Sequence, residues 1–189
     1  MKDVLIVSGI SGSGKTTFLR ALEDIGFFCV DNFPIVLLSR FLELNRDEGE
    51  KIRRCAFVID VRLRDFFETG QDVIKKVKQE FNAKVLFLES SEEALVRRYR
   101  ETRRTHPLLD SSNVKDAVAE ERKLMAWLRS MADEVIDTTH LTPHELRRWV
   151  LNTYGAHEQR MKINLMSFGY AFGLPLEADI VLDVRDRKS

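Results

Sequence analysis

The segment GISGSGKT, residues 9–16, limits what this chain can fold into more than any other part of the sequence. It fits the pattern G-x-x-x-x-G-K-[S/T] at every fixed position. The apolar run VLIVS precedes it and an amphipathic stretch follows it, which predicts a strand, a glycine-rich turn and a helix in that order. Together these features predict a phosphate-binding loop. The alternative, a glycine-rich turn that binds nothing, is disfavoured because the motif and its context agree. The members of this phosphate loop are Gly9, Ile10, Ser11, Gly12, Ser13, Gly14, Lys15 and Thr16.

Each residue type in the phosphate loop has a chemical reason. Glycines at positions 9, 12 and 14 let the backbone turn tightly and bring amide groups against phosphate oxygens without a Cβ in the way. The helix that begins near Lys15 adds the positive end of its dipole. Lys15 supplies a mobile charge for the β- and γ-phosphates, and Thr16 supplies a hydroxyl for Mg²⁺. Lys15 and Thr16 are therefore predicted to be catalytic, and Thr16 to be a metal ligand.

The rest of the first 156 residues alternates between short apolar runs and amphipathic stretches. Several of the apolar runs have no polar face, which is typical of strands covered on both sides. We therefore predict an α/β fold with a parallel sheet flanked by helices, as in P-loop NTPases and small-molecule kinases. Predicted strands span residues 4–9, 27–31, 55–60, 84–90 and 134–137, and predicted helices span 15–24, 35–44, 71–81, 92–104, 113–131 and 142–153. Capping boxes are expected at Ser90 with Glu93 and at Thr142 with Glu145, and a left-handed helix end is expected at Gly26.

A phosphate loop also needs an acid on a neighbouring strand to hold the hydrated metal. The run CAFVID ends in Asp60, which is the best candidate for that catalytic and metal-binding role. Asp31 ends another apolar run, and two interpretations of it stay open: an acceptor or metal contact as in small kinases, or a turn residue. Glu89 is expected to lie beside the start of a helix instead.

The arginine-rich segment RRYRETRRTHP, residues 97–107, allows three interpretations. It is a solvated helix face paired with glutamates, a lid that closes over nucleotide phosphates, or a basic patch for RNA. In a chain with a phosphate loop we favour a phosphate role. Helical spacing places Arg97, Arg100 and Arg104 on one face. The candidates for the lid are Arg97, Arg100, Arg103 and Arg104, and His106 is expected to be a polar lid residue.

The whole-chain composition narrows the class of protein further. Lys and Arg number 30 and Asp and Glu number 30, so no net charge favours nucleic acid or an anionic membrane as a partner. Cys29 and Cys55 sit in apolar runs, which indicates reduced, buried thiols. The N-terminal apolar run is too short for a signal sequence or a membrane span, so we expect a soluble, cytoplasmic protein.

Five phrases together resemble the RapZ/YvcJ family of nucleotide-binding RNase adapter proteins, and the likeness extends to Arg185. The phrases are GISGSGKT, ALEDIGFFCVDNFP, FVIDVR, RRYRETRRTHPL and SFGYAFGLPLEADIVLDVR. The resemblance implies a P-loop domain that binds and slowly hydrolyses ATP or GTP, with residues 9–16 on the ATP phosphates. It also implies that Asp60, Val61, Arg62 and Leu63 correspond to the GTP-binding stretch of the family.

The resemblance also bears on domains and partners. We expect a nucleotide-binding domain over residues 1–156 and the start of a C-terminal domain over 157–189. Some relatives bind small RNA and an endoribonuclease and sense an amino-sugar phosphate, largely through a C-terminal domain of about another hundred residues. Those partners are therefore expected of longer relatives more than of this chain, which has Ser189 as its last residue. Residues 158–189 are expected to be poorly ordered, folded back, or paired with another chain, so an oligomer is possible.

The sequence is compatible with three functions. The first is a P-loop ATPase or GTPase of a regulatory adapter, with Mg²⁺ and with water as the acceptor. The second is a kinase that transfers the γ-phosphate to a sugar or nucleotide. The third is a binding module for RNA or protein with vestigial catalysis, which the zero net charge disfavours for RNA.

Overall fold

The computed structural model describes residues 3–62, 68–102, 106–108, 113–155, 166–169, 173–174 and 180–182. The chain divides into two compact units, Met1–His157 and Glu158–Ser189. In the second unit, the sequence ADIVLDV predicts a strand over 178–184, but its described residues, 180–182, form none. Ile180 and Leu182 are 80% and 78% exposed. An apolar run becomes a strand only where another strand completes its hydrogen bonds, so this prediction is wrong for the residues described.

The first unit alternates strands and helices, as the sequence predicts. The strands are β1 (Asp3–Gly9), β2 (Phe28–Val30), β3 (Arg54–Val58), β4 (Lys84–Glu89) and β5 (Glu134–Asp137). The helices are α1 (Lys15–Glu23), α2 (Leu38–Asp47, preceded by a 3-10 turn over Ile35–Leu37), α3 (Gly70–Phe81), α4 (Glu92–Thr102), α5 (Val114–Ser130) and α6 (Pro143–Tyr154).

All five strands belong to one parallel sheet in the order β2-β3-β1-β4-β5. The strand β1 is central, with Ile6 opposite Phe57 of β3 and Val85 of β4. Because parallel strands end at the same edge, the residues that follow β1 and β3 meet there. The α/β fold with a parallel sheet flanked by helices is thereby confirmed.

Two apolar layers cover the two faces of the sheet. Val4 and Ile6 of β1 point into a layer with α2, α3 and α5, whereas Leu5 and Val7 point into a layer with α1 and α6. Since both faces are buried, alternate residues of β1 are equally apolar, and this explains why the strand shows no polar face in the sequence.

The predicted N-terminal cap is confirmed for α6 and wrong for α4. Thr142 and Glu145 form the predicted capping box at the start of α6. At α4 the predicted box at Ser90 is wrong, because the Ser91 hydroxyl accepts from the Ala94 amide at 3.2 Å. The side chain of Ser90 is buried at the end of β4, and its carbonyl accepts from Arg122 at 2.6 Å. Ser90 and Ser91 are the same residue type and adjacent, so the local sequence does not show which of them follows the strand and which caps the helix.

The two cysteines are reduced, and both lie at least partly inside the fold. Cys55 is a buried free thiol and Cys29 a half-buried one. Burial raises the pKa of each to about 12, so both thiols remain protonated near neutral pH. No helix in the described part of the chain combines the length and apolarity that a membrane span requires.

Candidate functional site

The phosphate loop joins β1 to α1 at the carboxyl edge of the sheet. Three of its glycines have positive φ: 145° at Gly9, 86° at Gly12 and 103° at Gly14. Gly14 is the residue before the first turn of α1, and no side chain caps that turn. The first amides of a helix have no partner within it, so those of Lys15 and Thr16 are available to an anion.

The carbonyl groups of the loop are mostly engaged by donors of the protein itself. Side chains donate to three of these carbonyl oxygens: Lys15 Nζ to that of Gly9 at 2.6 Å, Arg98 Nη1 to that of Gly12 at 3.1 Å and Thr138 Oγ1 to that of Ser13 at 2.8 Å. Backbone amides donate to two more: that of Ser13 to Ile10 at 2.9 Å and that of Phe18 to Gly14 at 3.0 Å. Carbonyl oxygens repel phosphate, whereas amides attract it. Holding the carbonyls in these bonds therefore favours an anion on the amide side of the loop.

Lys15 and Asp60 form an ion pair at the centre of the site. Lys15 Nζ lies 3.1 Å from Asp60 Oδ2, and the two residues are only 8% and 3% exposed. The other carboxylate oxygen accepts from the Arg62 amide at 3.1 Å. Burial by itself raises the pKa of Asp60, but Lys15 and the Arg62 amide and guanidinium outweigh it and hold the pKa below its ordinary value. Asp60 is therefore an ionised acceptor at neutral pH.

The rest of the stretch after Asp60 is divided between the core and solvent. Val61 is buried in the layer of α2, α3 and α5. The side chain of Arg62 is 56% exposed, and its guanidinium lies 3.9 Å from Asp60. Leu63 lies outside the described residues. Asp60 and Arg62 thus reach the site, whereas Val61 supports it through packing.

A cavity of about 490 Å³ opens over the loop. Its described lining is Ser11, Gly12, Ser13, Gly14, Lys15, Thr16, Thr17, Asp31, Asp60, Arg62, Arg97, Arg98, Tyr99, Glu101, Thr102, Thr138, Leu141, Thr142, Pro143 and Leu146. Asp31 lines this cavity and also accepts from the Asn32 amide at 2.8 Å, so it is both a turn residue and a member of the site. The volume suits a small organic ligand with a charged group.

The arginine-rich segment contributes differently from its prediction. Arg97 lines the cavity, Arg100 is exposed and does not line it, and Arg103 and Arg104 lie outside the described residues. Arg98, which the sequence analysis did not select, donates to Gly12 and to the carbonyls of Thr138 and Leu141. Burial, and then Arg97, lower the pKa of Arg98, but a guanidinium stays charged. Leu95, three residues earlier, is buried on the same side of α4, and this rotation of the helix, which the sequence does not give, turns Arg98 towards the loop.

A second group of residues missed by the sequence analysis lies behind the loop. Glu121 of α5 is fully buried and accepts from Ser11 and from His106. His106 is only 2% exposed, so its interpretation as a polar lid residue is wrong. The ring of Tyr99 lies 5.2 Å from that of His106. No local pattern marks Glu121, because Ser11 is 110 residues away.

Apolar side chains from the turn between β5 and α6 and from α6 itself also line the cavity. Leu141, Pro143 and Leu146 line it. A Cβ at Gly14 would lie 2.8 Å from Leu146, so the first turn of α1 and α6 are in close contact here.

The oxygen donors present suit Mg²⁺. Thr16 and Asp60 line the cavity beside the loop. No cluster of three or more His, Cys, Asp or Glu side chains suited to a metal occurs in the described ranges. Mg²⁺ commonly takes only one or two protein oxygens and completes its shell with water and phosphate. The pair Thr16 and Asp60 therefore fits a metal that arrives with a phosphate ligand.

The contribution of Asp60 to stability should disappear in acid. Its folded-state pKa lies below the unfolded value of about 4, so the stabilisation is present above that value and is lost as the pH falls through the folded-state pKa. We expect the difference in free energy of unfolding between the protein and Asp60→Asn to be largest near pH 7 and to shrink below about pH 4. Urea unfolding at a series of pH values measures it, and a difference that does not change with pH contradicts the prediction.

The fold and the loop place the chain in the class of P-loop proteins with a kinase-like fold. A shikimate kinase from Bacteroides thetaiotaomicron has a TM-score of 0.55 at 17% identity and covers 79% of this chain and 95% of its own. A shikimate kinase from Acinetobacter baumannii in complex with shikimate has a TM-score of 0.53 at 18% identity, over 80% of this chain and 92% of its own. At such identities the likeness concerns the fold alone.

The sequence defines the family. A family model described as the RapZ-like N-terminal domain matches residues 2–158, and the chain belongs to that family. A "Nucleotide-binding protein" of Anaeromyxobacter sp. (strain K) is 50% identical over 185 residues, which are 96% of this chain and 63% of the relative. One of Macrococcus caseolyticus is 46% identical over 97% of this chain and 62% of its own length. The resemblance found in the sequence is confirmed, and the chain spans slightly less than two thirds of these relatives.

Proposed function

We propose that this chain binds a nucleoside triphosphate with Mg²⁺ and hydrolyses it slowly, as the nucleotide-binding part of a regulatory protein. The observation that carries this proposal is that Lys15, which pairs with the Gly9 carbonyl and with Asp60, lines the cavity together with Asp60 at the start of α1, where the first helix amides are free. The phosphate chain would lie on those amides, and the base beside Arg98 and Leu141. The names of the relatives, nucleotide-binding proteins, agree with it.

In this site the residues of the chain bind, orient and neutralise. Lys15 would exchange part of its contact with Asp60 for the β- and γ-phosphates, and Thr16 and Asp60 would hold the metal and its water. The metal, when bound, neutralises charge on the β- and γ-phosphates. Hydrolysis forms a bond from a water oxygen to the γ-phosphorus as the bond to the bridging oxygen breaks; one water proton stays on inorganic phosphate and the other is released to solvent. Arg62 and Arg97, which line the cavity, would stabilise the charge that develops.

Calorimetric titration with MgATP and MgGTP, followed by a phosphate-release assay, tests the proposal. We expect binding that weakens strongly when Mg²⁺ is removed, and slow release of phosphate. A Thr16→Ala variant should lose the Mg²⁺ dependence, because it lacks the hydroxyl ligand, and Ser39→Ala, on α2, serves as a matched hydroxyl control. Absence of binding to both nucleotides contradicts the proposal.

A kinase activity is the second candidate, and one observation favours it. Asp31 and Arg62 line the same cavity as Lys15 and Asp60, so a carboxylate is present that could take the proton of an acceptor hydroxyl. A screen of sugars and nucleotides for phosphorylated product separates the two functions. Product formed much faster than phosphate release favours the kinase.

The regulatory role is proposed from the family. If the chain acts as an RNase adapter, bound nucleotide would change its affinity for a partner. The partners to test are RNA, an RNase and a second copy of the chain. Lys and Arg balance Asp and Glu at 30 each, so RNA binding by this chain is expected to be weak and to change little with salt, and tight, steeply salt-dependent binding would contradict this expectation. Titration with RNA at two salt concentrations measures it.

A further inference from the structure

The carboxylate of Glu121 faces the back of the phosphate loop and is fully buried. The Ser11 amide lies 3.0 Å from each of its oxygens, and the Ser11 hydroxyl donates to Oε1 at 2.7 Å. His106 Nε2 lies 3.0 Å from Oε2. Three donors from two distant parts of the chain therefore converge on one side chain.

The hydrogen bonds define the tautomer of His106. The Leu108 amide donates to Nδ1 at 3.2 Å, so Nδ1 carries no proton. Nε2 then carries it and donates to Glu121. Both ring nitrogens of His106 are thus engaged, so the ring is held in one orientation and in turn orients the carboxylate of Glu121.

Packing alone does not account for this carboxylate. Taking a carboxylate out of water costs several kcal/mol unless hydrogen bonds replace its hydration. In the described ranges its hydrogen-bond partners are Ser11 and His106, and no lysine or arginine there pairs with it. An apolar side chain of the same size would fill the space at lower cost. What the carboxylate adds is a fixed position for the Ser11 amide and hydroxyl.

We propose that Glu121 is a positioning residue for the nucleotide site, oriented by His106; the inference rests on the proposed nucleotide binding. It holds Ser11 from behind while Arg98 holds the next carbonyl, that of Gly12, from the side. Because the Ser11 amide points to Glu121, the backbone has to change direction at Gly12, whose φ is 86°. The amides that follow Gly12 would then point towards the cavity. The loop is then ordered before the ligand arrives, and binding does not have to supply that ordering.

The same carboxylate connects the arginine-rich segment to the loop. Tyr99 of α4 contacts the ring of His106, and a Cβ at Gly12 would lie 3.3 Å from Tyr99. The end of α4, the residues around His106 and the phosphate loop therefore share one buried anchor. Loss of the anchor should affect phosphate binding and the position of Arg98 together.

Glu121→Gln tests the proposal. The glutamine amide nitrogen can only donate, so it faces a donor from Ser11 or His106 and leaves one hydrogen bond unmade. We expect MgATP to bind at least about tenfold more weakly. The matched control is Asp133→Asn, which removes a carboxylate that also accepts a backbone amide, that of Val85, but at the opposite edge of the sheet. The control should lower the free energy of unfolding and leave MgATP affinity unchanged.

Two further measurements separate positioning from general support of the fold. The Ser11 amide proton should move upfield in Glu121→Gln in the absence of nucleotide, because it loses a charged acceptor. If Glu121→Gln does not fold, His106→Ala should weaken MgATP binding while His106→Gln, which keeps a donor near the Nε2 position, restores it.

The outcomes are distinct. Wild-type protein that binds no nucleotide contradicts the proposed function. Wild-type protein that binds MgATP while Glu121→Gln, or both His106 variants, bind equally well contradicts the positioning role alone.

Discussion

Lys15→Ala is expected to weaken binding of MgATP or MgGTP about a hundredfold or more and to reduce phosphate release to the background. Lys15 is the one residue of the phosphate loop whose charge can reach the β- and γ-phosphates, and its Nζ already lies in the site, 2.6 Å from Gly9 O. Calorimetry and a phosphate-release assay measure the two effects. Lys76→Ala on α3, which removes an ion pair with Glu43 of α2 away from the site, is the control and should bind as the wild type does.

The same variant should also be less stable without nucleotide, because it leaves buried Asp60 without its nearer cation and with only the Arg62 guanidinium, 3.9 Å away, as a partner. Breaking a buried pair in this way costs about 3 kcal/mol. The double variant Lys15→Met with Asp60→Asn removes both charges and should regain most of that stability. It should regain none of the affinity. If Lys15→Ala binds and hydrolyses nucleotide as the wild type does, the assignment of the site is wrong.

Gly9→Ala is expected to have the largest effect on folding. A Cβ at this position would lie 2.1 Å from the carbonyl oxygen of Leu88, which is backbone of the neighbouring strand β4. The φ of 145° is also one that an alanine rarely adopts. Neither strand can move without disturbing the centre of the sheet, so we expect a loss of about 4 kcal/mol or more, a large part of the stability of a domain of this size.

Gly26→Ala is the control for that experiment. Its φ is 85°, but no heavy atom lies within 4 Å of the added Cβ. It therefore measures the cost of positive φ without a collision, about 1 kcal/mol. Urea unfolding of both variants gives the comparison. Equal losses at Gly9 and Gly26 would show that the close approach to Leu88 does not matter.

The extent to which the sequence predicts this site differs from residue to residue. Gly9, Gly14 and Lys15 follow from one short motif, because backbone conformation and helix start are set by neighbouring residues. Asp60 follows from its place after an apolar run, since parallel strands end at one edge. The roles of these residues in nucleotide chemistry remain predictions, and what the structure adds is that Gly14, Lys15 and Asp60 line one cavity.

The arginines show where local reasoning stops. Helical spacing groups Arg97, Arg100 and Arg104, but it does not give the rotation of α4 relative to the sheet. In the structure Leu95 and Tyr99 are buried, and this rotation brings Arg98 against the loop and leaves Arg100 in solvent. An alternation of charged and apolar residues is compatible with several rotations, and only the packing of the whole layer selects one.

By itself, the sequence determined the parallel α/β fold, the five strands, the phosphate loop, the family and the acid that faces Lys15. These depend on interactions between residues close along the chain, or on the common direction of parallel strands. Only the tertiary structure decided that Arg98 contacts the loop, that Thr138 holds its Ser13 carbonyl and that Glu121 lies behind Ser11. Those contacts join residues 86, 125 and 110 positions apart, and no periodicity in the chain connects residues at such separations.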